Sequence, residues 1–300
     1  MSSGALRHAV NCQTRAVTVQ WKPPGCRQIV HSSRSVAGKG PARYLTVTSF
    51  EVLSMSEIVT AAMIVIGDEI LSGRTKDRNI GHLADIMTAI GIDLKEVRVV
   101  PDVEDEIVAA VNALRARYDY IFTTGGIGPT HDDITADSVA KAFGVPCSYD
   151  DKALALLATS YAARGIEFND ARKRMARMPV GAAHIDNPVS VAPGFRIGNV
   201  HVMAGVPSIF QAMLDNVVPT LKTGAKLLSA TVPCPHGEGI IGGPLAEIQK
   251  AHPDTIIGSY PKYLDGAFRT DLVVRARTQE ALDAARQAVE AMVASLPKGA

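Results

Sequence analysis

The sequence predicts an α/β protein with a doubly wound, mostly parallel sheet, helices on both faces, and a small carboxyl-terminal α+β domain. Three observations predict this fold. From residue 58, short apolar runs rich in β-branched residues alternate with longer runs of helical periodicity. Several short runs end in a glycine-containing loop that leads into a helix, as in parallel sheets covered on both faces. After about residue 220 the order changes to βαββα, which suits a separate small domain.

The elements of the larger domain, residues 56–220, follow from apolar runs bounded by glycine and proline and from amphipathic runs closed by glycine. The predicted strands are 58–66, 94–100, 118–124, 191–197 and 200–203. The predicted helices are 78–90, 104–117, 133–143, 152–164, 170–178 and 208–217. In such sheets, ligands bind at the carboxyl ends of the strands.

The small domain, residues 221–300, is predicted from the same patterns. Its strands are 227–232, 255–259 and 268–276, and its helices are 244–251 and 279–296. Residues 1–55 differ from both domains, because they are rich in Ser, Pro, Gly and Arg and the first acidic residue is Glu51. We expect a disordered extension there. It is either an over-called start, with Met55 as the natural one, or a targeting segment.

The composition excludes several classes of protein. The formal net charge is +1, so no basic excess indicates nucleic-acid binding. No run approaches the ~20 apolar residues of a membrane span. The cysteines stand far apart, which predicts neither a disulfide framework nor a zinc site and favours a reducing, cytoplasmic location. They are Cys12, Cys26, Cys147 and Cys234.

The loop TTGGIGPTHDDIT, residues 123–135, is the most distinctive motif. Glycines at 125, 126 and 128 permit positive φ and let backbone N–H groups approach a ligand closely. The helix that follows offers further N–H donors and a partial positive charge. We therefore predict that this loop binds phosphate. The predicted contacts are Thr124, Gly125, Gly126 and Gly128.

Asp132 and Asp133 have two interpretations at the start of that helix. One of them could cap it, although capping needs only one carboxylate. Two carboxylates beside a phosphate site would repel the ligand unless a cation lies between them, and Mg²⁺ is usually held by one or two carboxylates plus phosphate oxygens. In the second interpretation the metal ligands are Asp133 with Asp132 or Asp68.

Three other loops follow predicted strands in the same way. In GDEILSGRTKDRN, Asp77 or Asn79 is either a helix cap or a ligand contact, and Glu69 is a catalytic candidate. In VVPD, Asp102 is either a cap of the next helix or a catalytic carboxylate. The remaining predicted ligand contacts in these loops and in MAGVPS are Gly67, Ser72, Gly73, Gly205, Pro207 and Ser208, the last also a candidate cap.

These motifs resemble the MoaB/Mog molybdopterin-binding fold, and in detail the amino-terminal domain of the CinA (competence/damage-inducible) family and the related domain of FAD synthase. The matching segments, in that family's order, are GDEILSG…DRN, VVPD, TTGGIGPTHDDIT, MPVGA, APGF and MAGVP. The segment GIIGGPLAEIQKAHPDTIIGSYP is similar to the family's small carboxyl-terminal domain. The resemblance thus covers both predicted domains.

The resemblance implies roles for two carboxylates. Asp102 and Asp133 fall on the aspartates implicated in Mog-type chemistry, while His131 and Asp132 stand where the Mog loop carries basic residues. The CinA-like branch favoured by that difference resembles metal-dependent pyrophosphatases acting on ADP-ribose or FAD. The sequence departs from the family at three positions outside the carboxylates. Ser190 and Val191 stand where Gly-Thr is common, and Ala204 replaces a proline.

We therefore expect a nucleotide-binding hydrolase, a Mg²⁺-dependent pyrophosphatase that cleaves a nucleoside diphosphate linkage. Asp102 or Glu69 would orient water, and His131 is either an acid toward the leaving phosphate or a surface residue. Two alternatives stay open: a protein that binds molybdopterin or a pterin nucleotide without hydrolysis, and a non-catalytic regulatory oligomer. A small-molecule partner, no nucleic acid, no membrane and a homo-oligomer are expected. The basic run ARKRMARM either reaches toward the phosphates or the adenine-ribose part of a ligand or forms a solvated helix face, and the second interpretation is preferred.

Overall fold

The structure is a computed structural model, and it describes residues 58–264 and 267–297. The predicted extension 1–55, with Met55, Cys12 and Cys26, lies outside these residues. The strands of the larger domain are β1 (Val59–Ile66), β2 (Ile92–Val100), β3 (Tyr120–Thr124), β4 (Cys147–Tyr149), β5 (Arg177–Pro179), β6 (Ala183–Ile185), β7 (Gly194–Ile197) and β8 (Val200–Met203). Its helices are α1 (Asp68–Leu71), α2 (Asn79–Ala89), α3 (Glu104–Arg115), α4 (Thr135–Phe143), α5 (Asp151–Ala163), α6 (Asp170–Lys173) and α7 (Pro207–Val217).

Six of these strands form the main sheet, in the order β2-β1-β3-β8-β7-β6. The four strands β2, β1, β3 and β8 are parallel to one another. Strand β7 pairs antiparallel with β8, and β6 pairs antiparallel with β7. Strand β1 has a neighbour on each side and is buried along nearly its whole length. That burial explains its continuous apolar sequence. The predicted doubly wound, mostly parallel sheet is confirmed.

The two faces of the sheet carry separate apolar cores because successive side chains of a strand point to opposite faces. Ala62, Ile64 and Ile66 of β1 pack on one face with α3, α4 and α5. The alternate residues Met63 and Val65 pack on the other face with α2 and α7. Helices on both faces leave the ends of the strands as the open part of the sheet.

The predicted helix 170–178 is wrong in its second half. Helix α6 ends at Lys173, a 3₁₀ turn covers Arg174–Ala176, and the chain then enters β5, which pairs antiparallel with β4. Met178 is buried in the core beside α4. The basic run suggested a continuous helix, but burial of Met178 and pairing with β4 favour an extended chain here. The predicted strand 191–197 likewise begins only at Gly194.

The small domain contains β9 (Leu228–Cys234), α8 (Glu238–Ala251), β10 (Thr255–Leu264), β11 (Ala267–Ala276) and α9 (Gln279–Ser295). Its antiparallel sheet has the order β10-β11-β9, and α8 and α9 pack with it around a core that includes Leu272 and Val289. Helix α8 starts six residues before the predicted start at Pro244, which lies inside it. Pro244 suggested a helix start, yet the fully buried Ile241 holds the preceding turn against the core.

An ion pair connects the larger domain with the small domain. The Arg277 guanidinium donates to Asp93 Oδ2 at 2.6 Å and also to the carbonyl oxygen of Ala225. Asp93 lies in β2 and Arg277 directly follows β11. The predicted boundary near residue 220 stays a prediction.

Candidate active site at the carboxyl edge of the sheet

The carboxyl ends of β1, β2, β3 and β8 lie side by side, because these strands are parallel neighbours. The loops that follow them are joined by backbone hydrogen bonds. Gly67 N donates to Val100 O at 3.1 Å, and Gly125 N donates to Met203 O at 3.2 Å. The four loops predicted to converge are therefore neighbours in the structure.

The glycine loop after β3 requires glycine at two positions. Gly125 and Gly126 have φ of 103° and 67°, in the left-handed region that favours glycine. A methyl group on Gly125 would overlap the carbonyl oxygen of Ile66, and one on Gly126 would overlap Thr135 Oγ1. The fully buried Thr135 holds the loop, since its Oγ1 donates to Gly125 O and its N to Gly126 O, each at 3.0 Å.

Asp133 braces this loop and does not cap α4. Its Oδ2 accepts hydrogen bonds from Thr130 N at 2.8 Å and from Thr130 Oγ1 at 2.5 Å. The N-cap residue of α4 is Ile134, which makes no side-chain capping bond. The capping interpretation is therefore wrong for both Asp132 and Asp133. Asp132 is exposed, and the His131 side chain is 98% exposed, as its surface interpretation expects.

Asp102 is the point where three loops bring carboxylates together. Its Oδ2 accepts a hydrogen bond from Asp68 N at 3.0 Å. Burial raises the pKa of the Asp102 carboxyl; the Asp68 N–H opposes this shift, and the negative charges of Glu69, Asp68 and Asp132 add to it. Helix α3 begins after Val103 without a side-chain cap, so the capping interpretation of Asp102 is also wrong.

Glu69 extends this acidic group toward the ligand cleft described below. A methyl group on Gly67 would lie 2.5 Å from Glu69 Oε2, so the Glu69 carboxylate folds back over the end of β1. Within the described residues, no three His, Cys, Asp or Glu side chains are grouped so as to hold a metal ion by themselves. A cation at this edge would therefore need ligands from a bound molecule in addition to protein carboxylates.

Asn79 and Asp77 have structural contacts. Asp77 Oδ1 accepts from Ile80 N at 2.8 Å and thus caps the first turn of α2. The buried Asn79 donates from Nδ2 to Thr124 Oγ1 at 2.9 Å and to Gly205 O at 2.8 Å. These bonds tie the start of α2 to the loops after β3 and β8. Both residues therefore position the loops.

A cleft of about 520 Å³ opens beside these loops. Seven of the predicted site residues line it: Glu69, Gly125, Gly126, Gly128, Asp133, Gly205 and Pro207. The other predicted site residues lie outside its described lining: Gly67, Asp68, Ser72, Gly73, Asn79, Asp102, Thr124, Asp132 and Ser208. Ser208 is the second residue of α7 and makes no capping bond, so that alternative is wrong. Of the carboxylates that act on the pKa of Asp102, only Glu69 is therefore part of the cleft lining.

The sequence motifs did not predict the wall of the cleft opposite the glycine loop. Asn187, Ser190 and Ala192 line it, together with Met175. Asn187 organises this loop: its Oδ1 accepts from Ser190 N at 3.1 Å, and its Nδ2 donates to Ala192 O at 2.8 Å. In the sequence, the Asn-Pro pair at 187–188 is a signal that could have predicted a turn here. Which wall this turn forms depends on tertiary packing.

These features define an α/β protein with a ligand-sized cleft at the carboxyl edge of a parallel sheet, which is where folds of this class bind their ligands. The family model described as "Probable molybdopterin binding domain" matches residues 62–223, more than half of the chain. A second model, "FAD synthase, middle domain", matches residues 226–297. The chain therefore belongs to the molybdopterin-binding-domain family, and the resemblance to the MoaB/Mog fold is confirmed.

Two proteins of known sequence are similar to this chain over more than two thirds of its length. A protein of Pyrobaculum calidifontis is 35% identical over 215 residues, which cover 69% of this chain and 82% of that protein. A protein of Aeropyrum pernix is 31% identical over 264 residues, 81% of this chain and 98% of its own. The crystal structure of CinA from Thermoplasma acidophilum, a protein described as of unknown function, is 32% identical with a TM-score of 0.50. It covers 54% of this chain and 98% of its own.

Members of this fold family bind small pterin or nucleotide ligands. Among the helices of residues 58–264 and 267–297, none combines the length and the apolar character that crossing a membrane requires. The predicted cytoplasmic location and homo-oligomer stay predictions.

Proposed function

We propose that this protein is a divalent-metal-dependent pyrophosphatase that hydrolyses the diphosphate of a nucleotide of the ADP-ribose or FAD type. The observation that carries the proposal is the meeting of carboxylates from three loops around Asp102, directly beside a glycine loop that lines a ligand-sized cleft. Backbone N–H groups suit the phosphates, and the cleft has room for an attached ring.

The carboxylates fit a cation that the substrate helps to hold. Burial is the main cause of the raised pKa of Asp102, and the nearby negative charges of Glu69, Asp68 and Asp132 add to it; a divalent cation would offset those charges. Asp133 with Asp132 or Asp68 would supply one or two ligands and phosphate oxygens the rest, as is usual for Mg²⁺. Asp133 Oδ1 is available, because the described residues give it no hydrogen-bond donor. When bound, the cation would neutralise charge that develops on the diphosphate.

The chain's own residues would position the reactants. N–H groups of residues 125–128 and of the first turn of α4 would bind non-bridging phosphate oxygens. Asp102, whose raised pKa makes it a stronger base than an ordinary carboxylate, would accept a proton from the attacking water, with Glu69 orienting that water. The water oxygen bonds to one phosphorus and the bond from that phosphorus to the bridging oxygen breaks. ADP-ribose would thus yield AMP and ribose 5-phosphate.

The test is release of AMP by the full chain. ADP-ribose, FAD and NAD are incubated with the protein and Mg²⁺, then Co²⁺, and AMP is measured by chromatography. We expect Asp133→Asn and Asp102→Asn each to lower kcat at least ~100-fold while thermal unfolding stays cooperative. Asp105→Asn is the matched control, since this exposed carboxylate at the start of α3 pairs with Lys141 and lies outside the cleft lining. No AMP from the wild type with any substrate would contradict the proposal.

A second candidate is a molybdopterin-binding protein without hydrolysis, which the family match and the apolar part of the cleft favour. Ala204, Val206 and Ile209 form an apolar surface suited to a flat ring. Val206→Trp would obstruct this surface, and we expect molybdopterin affinity to fall at least tenfold in a fluorescence titration. Val180→Trp, at a similarly exposed valine outside the cleft lining, is the control. Tight molybdopterin binding without AMP release would favour this function over the first.

A further inference from the structure

In the basic segment that follows α5, Arg172 and Arg174 have different surroundings. Arg172 lies over the Tyr161 ring, 5.1 Å from its centroid, and donates to the carbonyl oxygen of Glu167. It thus remains on the surface, as the solvated-face interpretation expects. Arg174, two residues later, lies in the 3₁₀ turn and faces the glycine loop. The solvated-face interpretation is wrong for Arg174.

Arg174 lines a recess beside the glycine loop, and Glu69 is not part of its lining. Gly126, Gly128, Asp133 and Asp137 also line it. The recess measures about 10 Å³, which is close to the room that one water-sized group needs. It can therefore accept a single oxygen atom.

The Arg174 guanidinium has hydrogen-bond donors that are not fully used by the described residues around this recess. Its Nη2 donates to the Asp133 carbonyl oxygen at a long 3.4 Å, and its buried Nε has no partner among the described residues. The neighbouring Arg177 differs, because its guanidinium is paired with the Asp137 carboxylate at 2.5 Å. Arg174 makes no ion pair within the described part of the chain. A buried donor without an acceptor is costly, so an incoming anion would be favoured here.

The lining of the adjoining cleft contains negative charges and lacks a positive charge that would attract phosphate. Glu69 and Asp133 line it, whereas its described lining contains no Lys or Arg. The cleft and the recess share Gly126, Gly128 and Asp133. A diphosphate on the glycine loop would therefore lie between Glu69 in the cleft and Arg174 in the recess, with Asp133 where the two meet.

We propose that Arg174 is a phosphate-binding residue of this site, whose guanidinium binds a non-bridging oxygen of a diphosphate held by the glycine loop. This proposal rests on the proposed diphosphate substrate. Guanidinium groups suit phosphate because they offer several N–H donors in one plane and keep their charge at all relevant pH values. Because Arg174 lines the recess and the carboxylates around Asp102 lie outside its lining, the two ends of the diphosphate would be distinguished. Arg174 would thus select diphosphates over uncharged nucleosides.

The test measures binding and turnover separately in the full chain. Calorimetric titration with inorganic pyrophosphate in Mg²⁺ gives the affinity, and AMP release from ADP-ribose gives KM and kcat. We expect Arg174→Ala to weaken pyrophosphate binding and raise KM at least tenfold, and Arg174→Lys to give a smaller loss. Arg172→Ala is the matched control and should stay within threefold. Adenosine, which has no phosphate, should bind the wild type and Arg174→Ala equally.

The outcomes distinguish this proposal from the proposed function. Arg174-dependent pyrophosphate binding without AMP release would support the phosphate site and contradict the pyrophosphatase. AMP release with unchanged pyrophosphate affinity in Arg174→Ala would overturn the phosphate site and leave the pyrophosphatase standing. A fall in kcat alone would show that Arg174 only positions Asp133 through its backbone, and would also overturn the proposal. Absence of pyrophosphate binding in the wild type would overturn it as well.

Discussion

The two sheets of this protein differ in where they place polar side chains. In the larger domain, parallel strands end at one edge, and the loops there bring Asp68 and Asp132 close enough to Asp102 for their charges to act on it. In the small domain, antiparallel strands end alternately at both edges, and charged groups pair across the sheet, as Lys262 does with Asp271. Parallel topology therefore concentrates chemistry at one edge, whereas antiparallel topology distributes it over a face.

The largest expected effects on stability and turnover come from removing a core side chain in one domain or in the other. Leu83 in α2 and Leu272 in β11 are both fully buried, in different cores. Each Leu→Ala variant should lose ~2–5 kcal/mol of unfolding free energy in urea titrations. Leu83→Ala should also lower ligand turnover, because Asn79, one turn earlier, ties the site loops together. Leu272→Ala should leave the turnover of folded protein within twofold. Equal loss of turnover in both variants would show that the small domain supports the site.

A pH-dependent effect is expected inside the larger domain alone. Burial lowers the pKa of His201 in β8 from 6.5 to about 4, and the Arg196 charge adds to the shift. Between these values the unfolded chain binds a proton that the folded protein does not, so stability falls as pH falls from about 6.5 to 4. The full shift of about 2.5 units corresponds to roughly 3 kcal/mol.

The His201 contribution can be isolated with His201→Phe. His201 stacks on Phe122 at a 5.3 Å centroid distance, so an aromatic replacement preserves contact. We expect its unfolding free energy, measured by urea at pH 7, 5.5 and 4.5, to depend less on pH than that of the wild type. His184, paired with Asp150, provides a control: His184→Phe should retain the His201 part of the pH dependence. An unchanged slope in His201→Phe would contradict the prediction.

A smaller effect is expected where the glycine loop meets α4. Thr135→Val removes the hydroxyl that donates to Gly125 O while keeping the side-chain shape. The loss of this buried hydrogen bond should cost ~1–3 kcal/mol and weaken pyrophosphate binding. Thr159→Val is the control, because Thr159 is exposed and its hydroxyl donates to Ala155 O within helix α5, away from the site. Unchanged ligand affinity in a destabilised Thr135→Val would show that the bond serves stability alone.

The smallest effect concerns the cleft wall that the motifs did not predict. Val191 has φ of 70°, a conformation that is strained for a β-branched residue. Val191→Asn should raise the unfolding free energy by ~1 kcal/mol, since Asn tolerates this region. Differential scanning calorimetry would measure the accompanying rise in Tm. A lower Tm would mean that Val191 side-chain packing outweighs the backbone strain.

The sequence predicted most elements of the sheet because their periodicity is local. The runs that became β1, β3 and β8 are short and apolar, and each leads to a loop with glycine. The positions of the glycine loop were predictable because a left-handed backbone favours glycine, as at Gly125. Pro244 misled the prediction of α8, because the burial of Ile241 extends the helix before it.

The roles of single carboxylates and arginines depend on distant parts of the chain. A helix cap and a loop brace use the same residue type, and only the Thr130 contacts show that Asp133 is the latter. The pKa of Asp102 is raised mainly by burial, and the carboxylates that add to the shift, Asp68, Glu69 and Asp132, are about 30 positions away along the chain. These assignments needed coordinates because local patterns contain no information on such contacts.

By itself, the sequence determined the alternation of strands and helices, the edge at which a ligand would bind, and the glycine loop, since all three follow from local periodicity and backbone conformation. Tertiary structure alone decided that Arg174 faces the glycine loop while Arg172 stays outside. The reason is physical: the turn after α6 is set by burial of Met178 and by pairing of β5 with β4. Those are contacts between segments that the order of residues does not reveal.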